Sequence, residues 1–144
     1  MAAVSPYLTF DGNCEEAFDF YRSVFGGQFY QKTRLNEVED ETYLPEHEGQ
    51  KIIYISLPIG ARTVLMGSDR PADFGDGITG EKFSIAISVN SRPEAYRLFY
   101  RLSAGGHVIC SLKEVVDGSW FGMLADQFGV QWLIKYEANG TLNS

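Results

Sequence analysis

The chain reads as an α+β protein: two βαβββ modules forming a curved eight-stranded mixed sheet around a cleft, with a helix on the outside of each module. Three observations predict it. One amphipathic helix pattern occurs twice, each copy follows a short alternating strand, and three strand-like runs follow each copy. Phe-Tyr-Arg begins at Phe20 and at Phe99, and Gly-Gly begins at Gly26 and at Gly105, a common offset of 79 (99 − 20; 105 − 26). The Glu-Ala pairs at Glu16 and Glu94 are offset by 78 (94 − 16), one residue out of step. Two copies at so long a period point to duplication of one unit rather than to a solenoid. A single domain over 1–144 is expected, with module one at about 4–68 and module two at about 83–136.

The first strand is expected over Val4–Phe10, where Pro6, Leu8 and Phe10 alternate with Ser5, Tyr7 and Thr9. Asp11-Gly12 turns into the first helix. Asn13 stands at its cap with Glu16 three residues on, a capping-box spacing, and Cys14, Ala17, Phe18, Tyr21, Val24 and Phe25 form its apolar stripe before Gly26-Gly27. A second strand is expected over Gln28–Leu35. From Asn36 to Gln50 the chain carries Glu37, Glu39, Asp40, Glu41, Glu46, His47 and Glu48. The spacing of these groups fits no familiar metal site, and a solvated acidic loop is the plainer reading. Lys51–Leu57 is a third strand with Ile53, Ile55 and Leu57 on one face and Ile52, Tyr54 and Ser56 on the other. Pro58-Ile-Gly-Ala turns it into a fourth at Arg62–Ser68.

The Gly-, Pro- and Asp-rich stretch from Asp69 to Lys82 joins the halves and matches no phosphate-cradling glycine pattern. Phe83–Val89 repeats the first strand, with Phe83, Ile85, Ile87 and Val89 on the helix side and Ser84, Ala86 and Ser88 opposite. In the second helix Ser91 caps, Glu94 closes the box, Pro93 occupies the first turn, and Ala95, Leu98, Phe99 and Leu102 form the stripe. His107–Leu112, Trp120–Ala125 and Val130–Tyr136 complete the strands, with turns at Asp117-Gly118 and Gln127–Gly129.

Composition bounds the function. The net charge of −7 disfavours a nucleic-acid partner, whose phosphates need a basic surface. Cys14 and Cys110 show no Cys-x-x-Cys spacing and are expected as reduced, inert thiols. No basic leader with an apolar core and no membrane-length apolar run is visible, so a cytoplasmic protein is expected. His107 and Cys110 are too close along one strand to form an oriented nucleophile pair. The strand faces turned away from the helices carry hydroxyl and amide side chains. Tyr7, Thr9, Tyr54, Ser56, Ser84 and Gln131, with Trp120 as a stacking surface, are the expected ligand-binding residues.

These residues resemble the vicinal oxygen chelate superfamily of glyoxalases, bleomycin resistance proteins and dioxygenases, and within it the PhnB-like branch. The matching stretches are Pro6-Tyr7-Leu8-Thr9-Phe10 with Gly12-Asn13, Glu16-Ala17, Phe20-Tyr21 through Phe25-Gly26, and Val64-Leu65-Met66 with Ser68-Asp69. Further along come Ala95 to Gly106, Phe121-Gly122-Met123 through Asp126, and Phe128-Gly129-Val130 with Trp132. The resemblance implies a small-molecule ligand in the cleft and a homodimer. Metal-dependent members place His, Gln or Glu ligands on inward-facing strand positions, where this chain has Tyr7, Thr9, Ser84, Ala86, Gln131 and Leu133. The position that often holds a His on the third strand is Tyr54, and neither His47 nor His107 falls on a matching site. No cofactor and no metal ligands are therefore expected. The expected function is binding of a planar or cationic small molecule; a metal-dependent lyase, isomerase or dioxygenase and a structural module remain the alternatives. No glycine-rich nucleotide-binding βα turn supports a methyltransferase.

Overall fold

The computed structural model describes residues 5–37, 48–70, 83–114 and 118–137. Within them lie eight strands and two α-helices: β1 (Tyr7–Phe10), α1 (Cys14–Phe25), β2 (Gln31–Arg34), β3 (Ile52–Ile59), β4 (Thr63–Asp69), β5 (Ile85–Val89), α2 (Arg92–Ser103), β6 (His107–Glu114), β7 (Ser119–Ala125) and β8 (Gln131–Glu137). The chain divides into two compact units, Met1–Ile78 and Thr79–Ser144, each a βαβββ module with its own four-stranded mixed sheet. The strand orders are β1-β4-β3-β2 and β5-β8-β7-β6, so both modules run first-fourth-third-second. In each the first and fourth strands pair parallel and the remaining pairs are antiparallel.

The offsets show where the modules differ. Phe10 pairs with Asp69 and Val89 with Tyr136, separations of 59 (69 − 10) and 47 (136 − 89), so module one holds twelve more residues. They sit between the second and third strands, in the acidic stretch. Its described ends form short 3₁₀ turns at Leu35–Glu37 and Glu48–Gln50, with Glu48 paired to Lys51 at 3.1 Å. Glu39, Asp40, Glu41, Glu46 and His47 lie outside the described residues.

The α1 stripe packs as its periodicity requires. Cys14, Ala17, Phe18, Tyr21 and Val24 are buried, with Phe25 only partly so. Beneath the helix Phe18 lies so close to Gly67 of β4 that a Cβ there would come within 2.7 Å of its ring. Module two repeats the device. Ala95, Leu98, Phe99 and Leu102 are buried, and Phe99 lies over Gly122 of β7, where a Cβ would approach its ring to 2.6 Å. A glycine under an aromatic ring lets each helix sit close to its sheet.

Several expectations are corrected. Asn13 makes no side-chain capping bond, and its backbone (φ −114°, ψ 25°) is not the extended cap conformation. A remote carboxylate replaces it. Asp69, buried at the end of β4, accepts hydrogen bonds from the backbone N–H of Gly12 (3.0 Å) and Cys14 (2.9 Å) through one oxygen and of Ile52 (2.9 Å) through the other. A negative group there also meets the positive end of the helix dipole. At α2 the Ser91 hydroxyl accepts from the Glu94 N–H at 3.3 Å as expected, but the Glu94 carboxylate turns to Arg97.

In β3 the core-facing set is Ile52, Ile55 and Leu57, not Ile53, Ile55 and Leu57. The register slips between Thr33 and Arg34, so Arg34 pairs with Ile52 and Ile53 becomes the extra residue of a bulge. Pro58 and Ile59 belong to β3 rather than to its turn, which starts at Gly60 (φ 69°). Pro58 is tolerated because β2 pairs only as far as Ser56, so its missing N–H removes no ladder bond from that side. Phe83 precedes β5 and is 82% exposed, outside the core. The expected strands at Val4–Phe10 and Gln28–Leu35 shorten to Tyr7–Phe10 and Gln31–Arg34 among the described residues. No helix among these residues is long and apolar enough to cross a membrane.

Candidate functional site

Each sheet has one face under its helix and one face free of it, and register decides which side chains the free face carries. In module one, Leu8 and Gly67 pair beneath Phe18. The alternating residues therefore point the other way. Tyr7 pairs with Met66, Met66 with Ser56, and Ser56 with Gln31, a row crossing all four strands. Thr9 and Ser68 pair beside it. The Tyr54 hydroxyl donates to Met66 Sδ at 3.2 Å, and the Gln31 amide donates to Thr33 Oγ1 at 3.1 Å. Four expected ligand-binding residues, Tyr7, Thr9, Tyr54 and Ser56, thus share one face of one sheet. Tyr7 is half exposed, while Ser56 is buried.

In module two, Trp132 and Ile134 are fully buried on the helix side, so Gln131, Leu133 and Lys135 point to the free face. Ala86 pairs with Leu133 and Leu133 with Met123. One row further on, Ser88 pairs with Lys135, Lys135 with Phe121, and Phe121 with Lys113. A cavity of about 340 Å³ opens here, lined by Ala86, Ser119, Trp120, Phe121, Leu133, Lys135 and Tyr136. It lies at the end of the sheet where β7 begins and β8 finishes. Its walls are mainly apolar and aromatic with one ammonium group, the usual make-up of a small-molecule site.

The remaining expected residues are distributed differently. Trp120 borders the cavity but is also engaged on the helix side: the Arg92 guanidinium lies 4.2 Å from its ring centroid and Tyr96 lies 6.0 Å away. Gln131 is half-buried, pairs with Ala125 and does not line the cavity. Ser84 is exposed and precedes β5. Lys135, Phe121 and Tyr136 were not among the expected residues. A signal for Lys135 was present, because alternation from Gln131 through Leu133 reaches it two steps on.

The described donors on these faces are hydroxyls, amides, the Met66 and Met123 thioethers, the Cys110 thiol and ammonium groups, and three or four convergent imidazole, carboxylate or thiolate ligands are what a divalent metal of this kind needs. The donor set does not fit such an ion. No three His, Cys, Asp or Glu side chains among the described residues are placed to hold one. Among the described residues both buried carboxylates are already engaged: Asp69 at α1, and Asp126 by the N–H groups of Phe128 (2.9 Å) and Val130 (3.0 Å) and the Trp132 indole (2.8 Å). The Cys14 thiol is pushed up above its ordinary range, chiefly by burial and further by the nearby Asp69 charge, which makes it a poor nucleophile and a poor ligand.

The sequence profile of the Glyoxalase/Bleomycin resistance protein/Dioxygenase superfamily matches residues 4–134. Among solved structures, protein PA1353 from Pseudomonas aeruginosa is 35% identical, covers 95% of this chain and 98% of its own, and superposes with a TM-score of 0.81. The PhnB protein from Bacillus cereus is 24% identical over 94% of this chain and 99% of its own, with a TM-score of 0.75. Protein YjdN of Escherichia coli (strain K12) is 24% identical over 140 residues, 92% of this chain and 93% of the relative.

Proposed function

Since the chain belongs to the glyoxalase/bleomycin resistance protein/dioxygenase superfamily, we propose that it is a small-molecule-binding member of the PhnB-like type, holding a planar ligand on a helix-free sheet face without a resident catalytic metal. One observation carries this reading: the cavity of about 340 Å³ walled by Trp120, Phe121 and Tyr136 on β7 and β8. Of these, Phe121 shares the helix-free face with Leu133 and Lys135, so its ring is the surface on which a planar molecule would lie, while Trp120 and Tyr136, paired with each other, alternate to the other face and border the cavity. The metal-free part of the reading is supported by the donor chemistry of the strand faces, which offers hydrogen bonds rather than metal ligands.

The proposed protein is cytoplasmic and homodimeric. Two free cysteines suit a reducing compartment. Edge strand β6 leaves Val108 and Ile109 46% and 47% exposed, a surface a second copy would cover. The dimer is tested by sedimentation of the Ile109→Lys variant, which should become monomeric; a wild-type monomer refutes it.

The binding reading is tested by a thermal-shift screen of planar compounds of every charge. It is followed by amide chemical-shift mapping of the hits and by metal analysis of untagged protein purified without chelator. Hits should raise the melting temperature and shift the amides of Ala86, Phe121, Leu133 and Lys135. A stoichiometric divalent metal, or hits that move only residues beneath the helices, would overturn it.

A further inference from the structure

We infer that the second module's cavity selects a planar anion, an aromatic carboxylate of one or two rings, through Lys135 assisted by Lys113. The inference rests on the planar-ligand reading above and adds the charge.

The argument starts from register. Lys113, Phe121, Lys135 and Ser88 form one continuous row across β6, β7, β8 and β5, and directly paired residues share a face. Neighbouring strands lie about 4.8 Å apart, so the backbones of the two lysines are separated by about 10 Å with the Phe121 ring between them. A flat molecule lying on that ring has an ammonium group on each side.

Pairing also distinguishes these lysines. Most other cations near the described elements have partners. Glu15 holds Lys32 and Arg34, Glu48 holds Lys51, Asp11 holds Arg70, Glu94 holds Arg97, and Arg92 lies over Trp120. Among the residues whose side chains are described, none forms an ion pair with Lys113 or Lys135; the side chain of Glu137, two positions beyond Lys135, lies outside that set. Lys135 is nevertheless half-buried and lines the cavity, whose other side chains are uncharged. In a chain of net charge −7, a half-buried ammonium group beside the Phe121 ring, in a cavity wall with no other charged lining residue, is an arrangement that an anionic ligand would complete. Electrostatics therefore supports the planar and opposes the cationic member of the ligand class expected from sequence. Ser88, paired with Lys135, and Ser119 on the cavity wall add hydroxyls that can hydrogen-bond a carboxylate. The volume, near the lower end for ligand pockets, limits the ring system to one or two rings.

The test is calorimetric titration of the full chain with 2-naphthoate, with its neutral counterpart 2-naphthamide, and with the cation 2-naphthylmethylamine. Naphthoate should bind about tenfold or more tightly than the amide, with the amine weakest. Lys135→Met keeps the apolar stem and should erase the preference for naphthoate over the amide. Lys135→Arg should restore it, and Lys113→Met should reduce it partly. Equal binding of the amide or amine, or a preference that survives Lys135→Met, overturns the charge inference and leaves the planar-ligand reading standing. Failure of all three probes also overturns it. The broader reading is then judged by its own screen, which includes uncharged and cationic planar compounds.

Discussion

Replacing Asp69 by Ala should be among the most destabilising single changes in the first module, and the cost can be worked from its contacts. The carboxylate is the acceptor for three backbone N–H groups, of Gly12, Cys14 and Ile52. Gly12 is exposed and can turn to water, whereas Cys14 and Ile52 are 0% and 1% exposed and cannot. A buried donor left without an acceptor costs about 1–3 kcal/mol, and losing a negative group at a helix N-terminus adds about 0.3–1 kcal/mol. For the two buried donors together the sum is about 2–7 kcal/mol, or a fall in melting temperature of the order of 10 °C for a chain of this size. Asp69→Asn should cost about half as much, since one oxygen still accepts while the amide nitrogen faces an N–H group. Asn13→Ala is the control, with an expected change within about 0.5 kcal/mol, because that side chain caps nothing. Urea unfolding followed by circular dichroism measures all three. If Asn13→Ala costs as much as Asp69→Ala, or if Asp69→Ala costs under about 1 kcal/mol, the assignment of the cap to β4 is wrong.

Three further outcomes follow from other contacts. Glu15 accepts hydrogen bonds from Arg34 (2.9 Å) and lies 2.6 Å from Lys32, and these partners hold its carboxyl down at about 2 against an ordinary 4.5. Its folded-state value is the depressed one. Its stabilising contribution is therefore complete above pH 4.5 and lost as pH falls towards 2. The stability difference between wild type and Glu15→Gln should be larger at pH 7 than at pH 3, as read by urea midpoints. The buried Cys14 thiol should resist iodoacetamide at pH 8 while half-buried Cys110 reacts, giving one adduct by intact mass in native protein and two after unfolding. Gly122→Ala should destabilise by about 1–3 kcal/mol, because its Cβ would meet Phe99 at 2.6 Å and the Leu112 backbone at 2.9 Å; a neutral result would show that α2 is not seated on β7 as described.

The fold was legible where a single physical period dominated. The duplicated helices announced themselves through a 3.6-residue apolar stripe, and ten of the residues assigned to those two stripes differ from the buried set only at Phe25. Strand faces were legible as far as alternation held. They failed at β3, where one bulge exchanges Ile53 for Ile52, because a slip of one residue reverses the face and no residue type marks it. The helix cap failed for a different reason. Asn13 and Glu16 have the right local spacing, but Asp69 lies 55 positions beyond Cys14, and a tertiary partner at that separation leaves no local pattern.

The candidate site divides along the same line. Tyr7, Thr9, Tyr54 and Ser56 share a face because alternation placed each correctly within its own strand. The lysine–phenylalanine–lysine row required two inter-strand registers at once, with two irregularities between β6 and β7, so no single stretch of sequence contains it. Selecting small hydroxylic residues as markers of a wetted face also steered attention away from Lys135, whose long stem and charge look like ordinary surface chemistry in a one-dimensional reading. Only its pairing with Phe121 and Ser88, beside Ala86, Leu133 and Trp120 in the cavity wall, distinguishes it from a solvated lysine. In a duplicated fold the two copies can share every helix and strand while differing in what their free faces carry. Here module one presents hydroxyls and a thioether, whereas module two presents aromatic rings and cations, so ligand specificity is a property of face composition and register rather than of the repeated unit.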